Sequence, residues 1–308
     1  MKFKQALRNI GLIMHSIFSF SPNLAKCYLV LWSLILRQVP PSKIKDRLVN
    51  SLRSVNWPNL DLKPQNVALG SAVNVKITPH SHEFDFDALF FKRLSYEHNV
   101  FIAIEERAKF YDSVIEIGAN VGIYTVFFAK LFEALNPNIK VFAFEPSFEA
   151  FYRLQQNIRV NLVKNVHLFN CGIGDQTGFT QFYEPDGHLT NGSLYPDFAS
   201  IFSKNLNQKD IFVINAIELT QLVKGYRKVL VKIDVEGAEN IVLESMKTFI
   251  TVEKPDIIIE VLEFQENKLN TLEFLLEAYD LFNITPHGLI PQIKFSATQY
   301  RDYFLIPK

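Results

Sequence analysis

Cysteine is almost absent from these 308 residues: only Cys27 and Cys171 occur. A disulfide framework is thereby excluded, and a reducing compartment, the cytosol, is the expected location. Glycine and proline are sparse, at 12 and 14 residues, which rules out collagen-like and low-complexity chains. No acidic residue precedes Asp46. The longest apolar run, Cys27 to Leu36, is interrupted by Ser33 and falls short of the ~18–20 residues that a spanning helix requires. No small-residue cleavage site follows a clear apolar core near the N-terminus, so a signal peptide is not expected. Internal repeats are also missing.

What is present is hydrophobic side-chain mass: 48% of residues are hydrophobic and 28 are Phe, enough to bury a substantial core. Formal net charge is zero, yet nine Lys or Arg face a single acid within the first 53 residues, leaving 23 basic and 31 acidic residues in the remainder. A basic helical N-terminal arm is therefore expected over residues 1–60, ending at the Pro40, Pro41 and Trp57, Pro58 punctuation. The arm reads either as a helix packed on the rest of the protein or as a basic amphipathic segment making peripheral contact with an anionic membrane. It carries no recognised nucleic-acid motif, and no nucleic-acid partner is expected.

Residues 61–308 form the expected main domain, with 61–112 as a lead-in of short strands or a hairpin and then a helix, and 113–308 as the core. From Ser113 onward, continuous apolar runs alternate with amphipathic ones: SVIEI, a helix from Val121, KVFAFE, a helix from Ser147, VHLFN, then KVLVKID, a helix from Glu236, and DIIIEV. That alternation predicts a doubly wound α/β sheet of Rossmann-like kind, covered on both faces. A segment at about 175–215 is expected to insert over the site. The closing stretch, with LFNIT and RDYFLI, predicts an antiparallel edge pair.

The run VIEIGANVGIYT joins a buried strand to a helix through Gly118, Ala119, Asn120, Val121 and Gly122. Glycine allows close backbone approach, and Asn tolerates left-handed geometry. A dinucleotide fingerprint would place a glycine where Asn120 stands and would be one residue longer before the last glycine, which disfavours pyrophosphate. The free N–H groups of the helix start suit a small carboxylate, and Glu116 suits an ammonium. These are what the methionine half of S-adenosylmethionine presents. On the next strand, Glu145 followed by Pro146 is placed to accept the ribose hydroxyls, and Cys171 and Gly172 fall where an adenine ring is flanked.

The blocks VIEIGANVGIYT, VFAFEPSFEAFYRLQQNIRVN, CGIGD, VLVKIDVEGAENIVLESM and PDIIIEV, with Tyr96 and Glu97 upstream, resemble the FkbM-type methyltransferases over about residues 94–306. The resemblance implies a class I methyltransferase fold and transfer of a methyl group from S-adenosylmethionine to a hydroxyl of a sugar, glycan or secondary metabolite. Glu116 stands where the family usually has Asp, and residues 1–60 lie outside the pattern.

An alcohol acceptor must lose its proton, which calls for a base at the carboxyl edge of the sheet. Asp234 is the first candidate, with a helix-capping role as its structural rival. Glu236 and His188 follow, the latter in the polar loop Asp186–Ser193. Lys232 lies on the strand face of Asp234, free to form a structural or a functional ion pair, and Glu260 ends the following strand. The cluster His80, His82, Glu83, Asp85, Asp87 has no downstream ligand set, so a solvated hairpin is expected there rather than a metal site. Two further functions remain open: a nicotinamide-dependent oxidoreductase, and a catalytically silent, membrane-associated interaction protein.

Overall fold

The computed structural model describes residues 16–58, 60–71, 73–81, 83–187 and 191–308. It divides into two compact units, one containing the described residues up to Leu69 with Asn74–Tyr96, the other Gly70–Val73 with Glu97–Lys308. The break thus comes after residue 96 and not near 60. The expected lead-in folds with the expected arm, because the two share one core.

In the first unit the helix Pro22–Leu36 starts with Pro at its first turn, and the helix Lys43–Arg53 is capped by Ser42, whose hydroxyl accepts from Lys45 N. Ala25, Leu29, Val49 and Leu52 pack with Trp57, with Phe86 of the 3-10 stretch Phe84–Leu89 and with Phe90 directly after it. Arg37 donates to the carbonyls of Ala88 and Asn66, each at 2.6 Å, tying the helix to the β1 (Gln65–Leu69) and β2 (Val73–Ile77) hairpin region. His80 donates from its backbone N–H to Asp85 at 2.8 Å and meets the same carboxylate through Nδ1 at 2.7 Å. Asp87 pairs with Arg53. His82 lies outside the described residues.

The second unit is built on β3 (Ser113–Ile117), β4 (Lys140–Phe144), β5 (Val166–Phe169), β9 (Val229–Ile233), β10 (Asp256–Glu260), β11 (Tyr279–Thr285), β12 (Gly288–Gln292) and β13 (Asp302–Pro307), in the sheet order β12-β11-β13-β10-β9-β3-β4-β5. Strands β5, β4, β3, β9 and β10 run parallel, while β13, β11 and β12 pair antiparallel. This is the expected doubly wound α/β sheet with an antiparallel end, and β12 adds a strand beyond the expected pair. Side chains alternate across it. Ile115, Ile117, Val231, Ile233, Ile257 and Ile259 share one core with Val242 and Phe249 of the helices Glu239–Ser245 and Lys247–Glu253 and with Met246 at their joint. Glu116 and Lys232, paired in register between them, occupy the opposite face.

The expected insertion is a three-stranded sheet of β6 (Gly172–Gly174), β7 (Gly178–Pro185) and β8 (Leu206–Asn215), in the order β6-β8-β7. None of the described helices is long and apolar enough to cross a membrane.

Candidate active site

Four strand ends meet at the carboxyl edge. Gly118 N donates to Phe144 O at 2.9 Å, Asp234 N to Ile117 O at 3.0 Å and Glu145 N to Phe169 O at 3.0 Å, so the turns after β3, β4 and β9 are stitched side by side. Gly118 has φ +85°, and a Cβ there would stand 1.8 Å from the carbonyl oxygen of Asp234. Only glycine permits that approach. Asn120 adopts φ +50°, the left-handed geometry that its type tolerates, and its Oδ1 accepts from Val121 N at 2.8 Å. Gly122 serves the helix Ile123–Leu135 behind the turn, since a Cβ there would lie 2.3 Å from Leu154.

These turns bound a crevice that is open to solvent. Gly118, Asn120, Glu145, Pro146, Gly172, Asp234 and Glu236 line it, so seven of the sequence candidates converge on one space. Glu116, Gly122 and Cys171 are not among the lining residues. Cys171 sits in the apolar core, where burial pushes its thiol up to about 11. Glu116 accepts from the Thr125 hydroxyl at 2.7 Å, and burial raises its pKa to about 8. His188 lies outside the described residues.

Glu145 is 6% exposed and is held at both oxygens: Asn120 N donates to Oε2 and Ser147 N to Oε1, each at 2.7 Å. Burial pushes its pKa up to about 7, against the pull of these two donors, and the charges of Glu184 and Asp234 add to the rise. Each carboxylate oxygen carries two lone pairs, so both retain capacity for a ligand hydroxyl. Ser147 caps the helix Phe148–Asn161. Its hydroxyl donates to the buried Glu184 of β7 at 2.5 Å, and Lys209 of β8 meets the same carboxylate at 2.5 Å. Ser193 Oγ donates to Glu236 O at 2.7 Å. The insertion is thereby anchored beside both acidic turns, and its Phe182, Leu194, Ile211 and Val213 form the apolar wall of the crevice.

Asp234 does not cap the following helix. That helix begins at Glu239, and Glu236 and Gly237 lie before it at φ +52° and +96°. Glu239 takes over the turn, its Oε1 accepting from Val235 N at 3.1 Å and Gly237 N at 3.2 Å. The Asp234 carboxylate instead accepts from Lys232 Nζ at 2.7 Å, and that ammonium lies 4.1 Å from the centre of the Tyr124 ring. Burial opposes the charge on Lys232, but Asp234 and Glu97 outweigh it and raise the lysine's pKa. Burial also raises Glu236 well above the ordinary carboxyl range, with the charges of Asp234 and Glu260 adding to it. Glu260 rises to about 8, again through burial first and Asp234 second.

Sequence reading missed Ser147, Glu184 and Glu239. A Ser directly before a helical run signals an N-cap, and an acid three residues beyond Glu236 signals a helix start; nothing local marks Glu184, whose partners lie on other elements.

The sequence model of the Methyltransferase FkbM domain matches residues 116–282, which include the end of β3, all of β4, β5, β9 and β10, and the first part of β11. The chain belongs to the FkbM methyltransferase domain family. Methyltransferase 1 of Beauveria bassiana (strain ARSEF 2860) is 25% identical over 150 residues, an overlap of 43% of this chain and 57% of that protein. The chain therefore spans little more than half the length of that relative. Among solved structures, a methyltransferase FkbM from Methylobacillus flagellatus KT overlaps with a TM-score of 0.39 and 16% identity, covering 63% of this chain and 43% of that one. A ribosomal protein L11 methylase from Lactobacillus delbrueckii subsp. bulgaricus gives a TM-score of 0.39 and 14% identity, over 79% and 99% of the two chains.

Proposed function

We propose that the crevice binds S-adenosylmethionine and that this FkbM-domain protein is an O-methyltransferase for a hydroxyl of a sugar, glycan or secondary-metabolite acceptor. The observation that carries this reading is the placement of Glu145 and Asp234 in one crevice on either side of the Gly118 turn. The residues suit such a ligand. Glu145 offers lone pairs on both oxygens to a ribose diol, while Gly172, Ile173, Ile211 and Val213 offer an apolar slot of the kind an adenine ring fills. Gly118 and Asn120 bring backbone close to the ligand's other end.

When bound, the donor supplies a methyl group already activated by its sulfonium. The chain then has to hold the acceptor in line, exclude water and take a proton, and positioning alone contributes ~7–11 kcal/mol in favourable cases. Asp234 is the group to accept the hydroxyl proton. Its ion pair with Lys232 fixes the carboxylate in the crevice, whose apolar wall includes Phe182 and Leu194 of the insertion.

The test is transfer of labelled methyl from S-adenosylmethionine into hydroxyl-bearing glycan and metabolite fractions. Asp234→Asn should keep the fold and the cofactor affinity and lower the transfer rate by about 10² or more. Unchanged turnover in that variant would remove Asp234 from proton transfer. Label recovered only on nitrogen or carbon would overturn O-methylation.

A further inference from the structure

The helix Pro22–Leu36 carries apolar side chains on both its buried and its exposed side. Ala25, Leu29 and Leu36 are buried in the core of the first unit. On the other side Leu24, Leu31, Leu34 and Ile35 are 56%, 55%, 64% and 49% exposed. Their spacing of seven, three and one residues places them within about a quarter of the helical circle at ~100° per residue. Just before the helix Phe20 is 88% exposed. A helix apolar on both sides belongs between two apolar layers, and among the described residues only one side of this one is covered.

Charge indicates what covers the other side. Lys26 is the only charged residue within the helix, and no acid precedes Asp46 in the sequence. The next helix begins with exposed Lys43, carries Ile44 at 70% exposure and continues to exposed Arg47. A second copy of this face would set these cations against their own kind, with Asp46 the only acid of the two helices to answer them. An anionic lipid surface answers all of them and takes up the leucines in its acyl boundary. With 15 residues the helix is about 22 Å long, too short for the ~30 Å hydrocarbon core, so it suits lying in the interface rather than spanning it.

We propose that the exposed face of Pro22–Leu36, together with the exposed Phe20 before it and Ile44 of the next helix, docks on an anionic bilayer surface. The experiment is flotation of the full chain with vesicles of phosphatidylcholine alone and of phosphatidylcholine mixed with phosphatidylserine. The chain should float with the mixed vesicles and much less with phosphatidylcholine. Leu24→Gln, Leu31→Gln and Leu34→Gln together should lower the partition by on the order of a hundredfold, since a single fully buried leucine accounts for at least tenfold. Lys43→Gln with Arg47→Gln should lower it by about fivefold for each cation at low salt, with the difference shrinking as salt screens the surface. All five side chains are exposed or at helix surfaces, and urea unfolding of each variant verifies the fold. Wild-type protein that fails to float with mixed vesicles, or that floats equally well as the triple leucine variant, overturns the proposal. Concentration-dependent dimerisation lost in that variant, without vesicle binding, assigns the face to a second copy instead.

Discussion

Gly118→Ala puts the close approach at the crevice to a quantitative test. The added Cβ would lie 1.8 Å from the Asp234 carbonyl oxygen, about 1.6 Å short of the 3.4 Å where ordinary contact begins. Neither side yields easily, because Gly118 N and Asp234 N are both hydrogen-bonded to neighbouring strand ends. Two costs follow: ~1–2 kcal/mol for an alanine held at left-handed φ, and ~1–3 kcal/mol for overpacking. Gly225→Ala is the matched control, since Gly225 has φ +93° with nothing within 4 Å of its would-be Cβ, so only the first cost applies. Urea unfolding of both variants should show Gly118→Ala less stable by a further ~1–3 kcal/mol at unchanged m value. Its S-adenosylmethionine affinity should also fall, because the Asp234 turn must move. Equal losses in the two variants would refute the close approach.

The buried acids predict a pH dependence of stability. Glu116 has its pKa raised by burial from 4.5 to about 8, so its contribution is fully present below pH 4.5 and is lost as the pH rises through 8. Glu116→Gln cannot ionise and still accepts from Thr125, so the fall in urea midpoint over that range should be shallower than in wild type; parallel curves would contradict burial of that carboxyl. Ser193→Ala removes the hydroxyl that donates to Glu236 O and accepts from Tyr195 N. It should destabilise by ~1–3 kcal/mol and speed proteolytic cleavage within 191–205, whereas unchanged protection would show that the insertion is anchored elsewhere.

The parallel strands were legible because each is a short, wholly apolar run next to an amphipathic one; β3 and β9 are buried along their entire length. The glycine turn was legible for the same local reason, as Gly118, Asn120 and Gly122 all take up positive φ. Long-range facts were not. Glu116 reads as a strand-end acid; the period of two sets it beside Lys232 on the face opposite Ile117, and it does not line the crevice. Cys171, between β5 and β6, packs into the core. The start of the helix after β9 was set too early because Asp234 and Glu236 mimic first-turn acids, while the left-handed Glu236 and Gly237 delay it to Glu239. The apparent arm is part of a folded unit because its partners, Phe86 and Phe90, lie more than thirty residues further along.

Cofactor recognition by Glu145 is tested most directly by isothermal titration of the full chain and of Glu145→Ala with S-adenosylmethionine and with reduced nicotinamide dinucleotide. Wild-type protein should bind S-adenosylmethionine and not the dinucleotide, and the folded variant should lose up to ~1.5–3 kcal/mol for each of two charge-assisted hydrogen bonds. Undiminished affinity in Glu145→Ala, or a wild-type protein that takes up the dinucleotide and no S-adenosylmethionine, would contradict it.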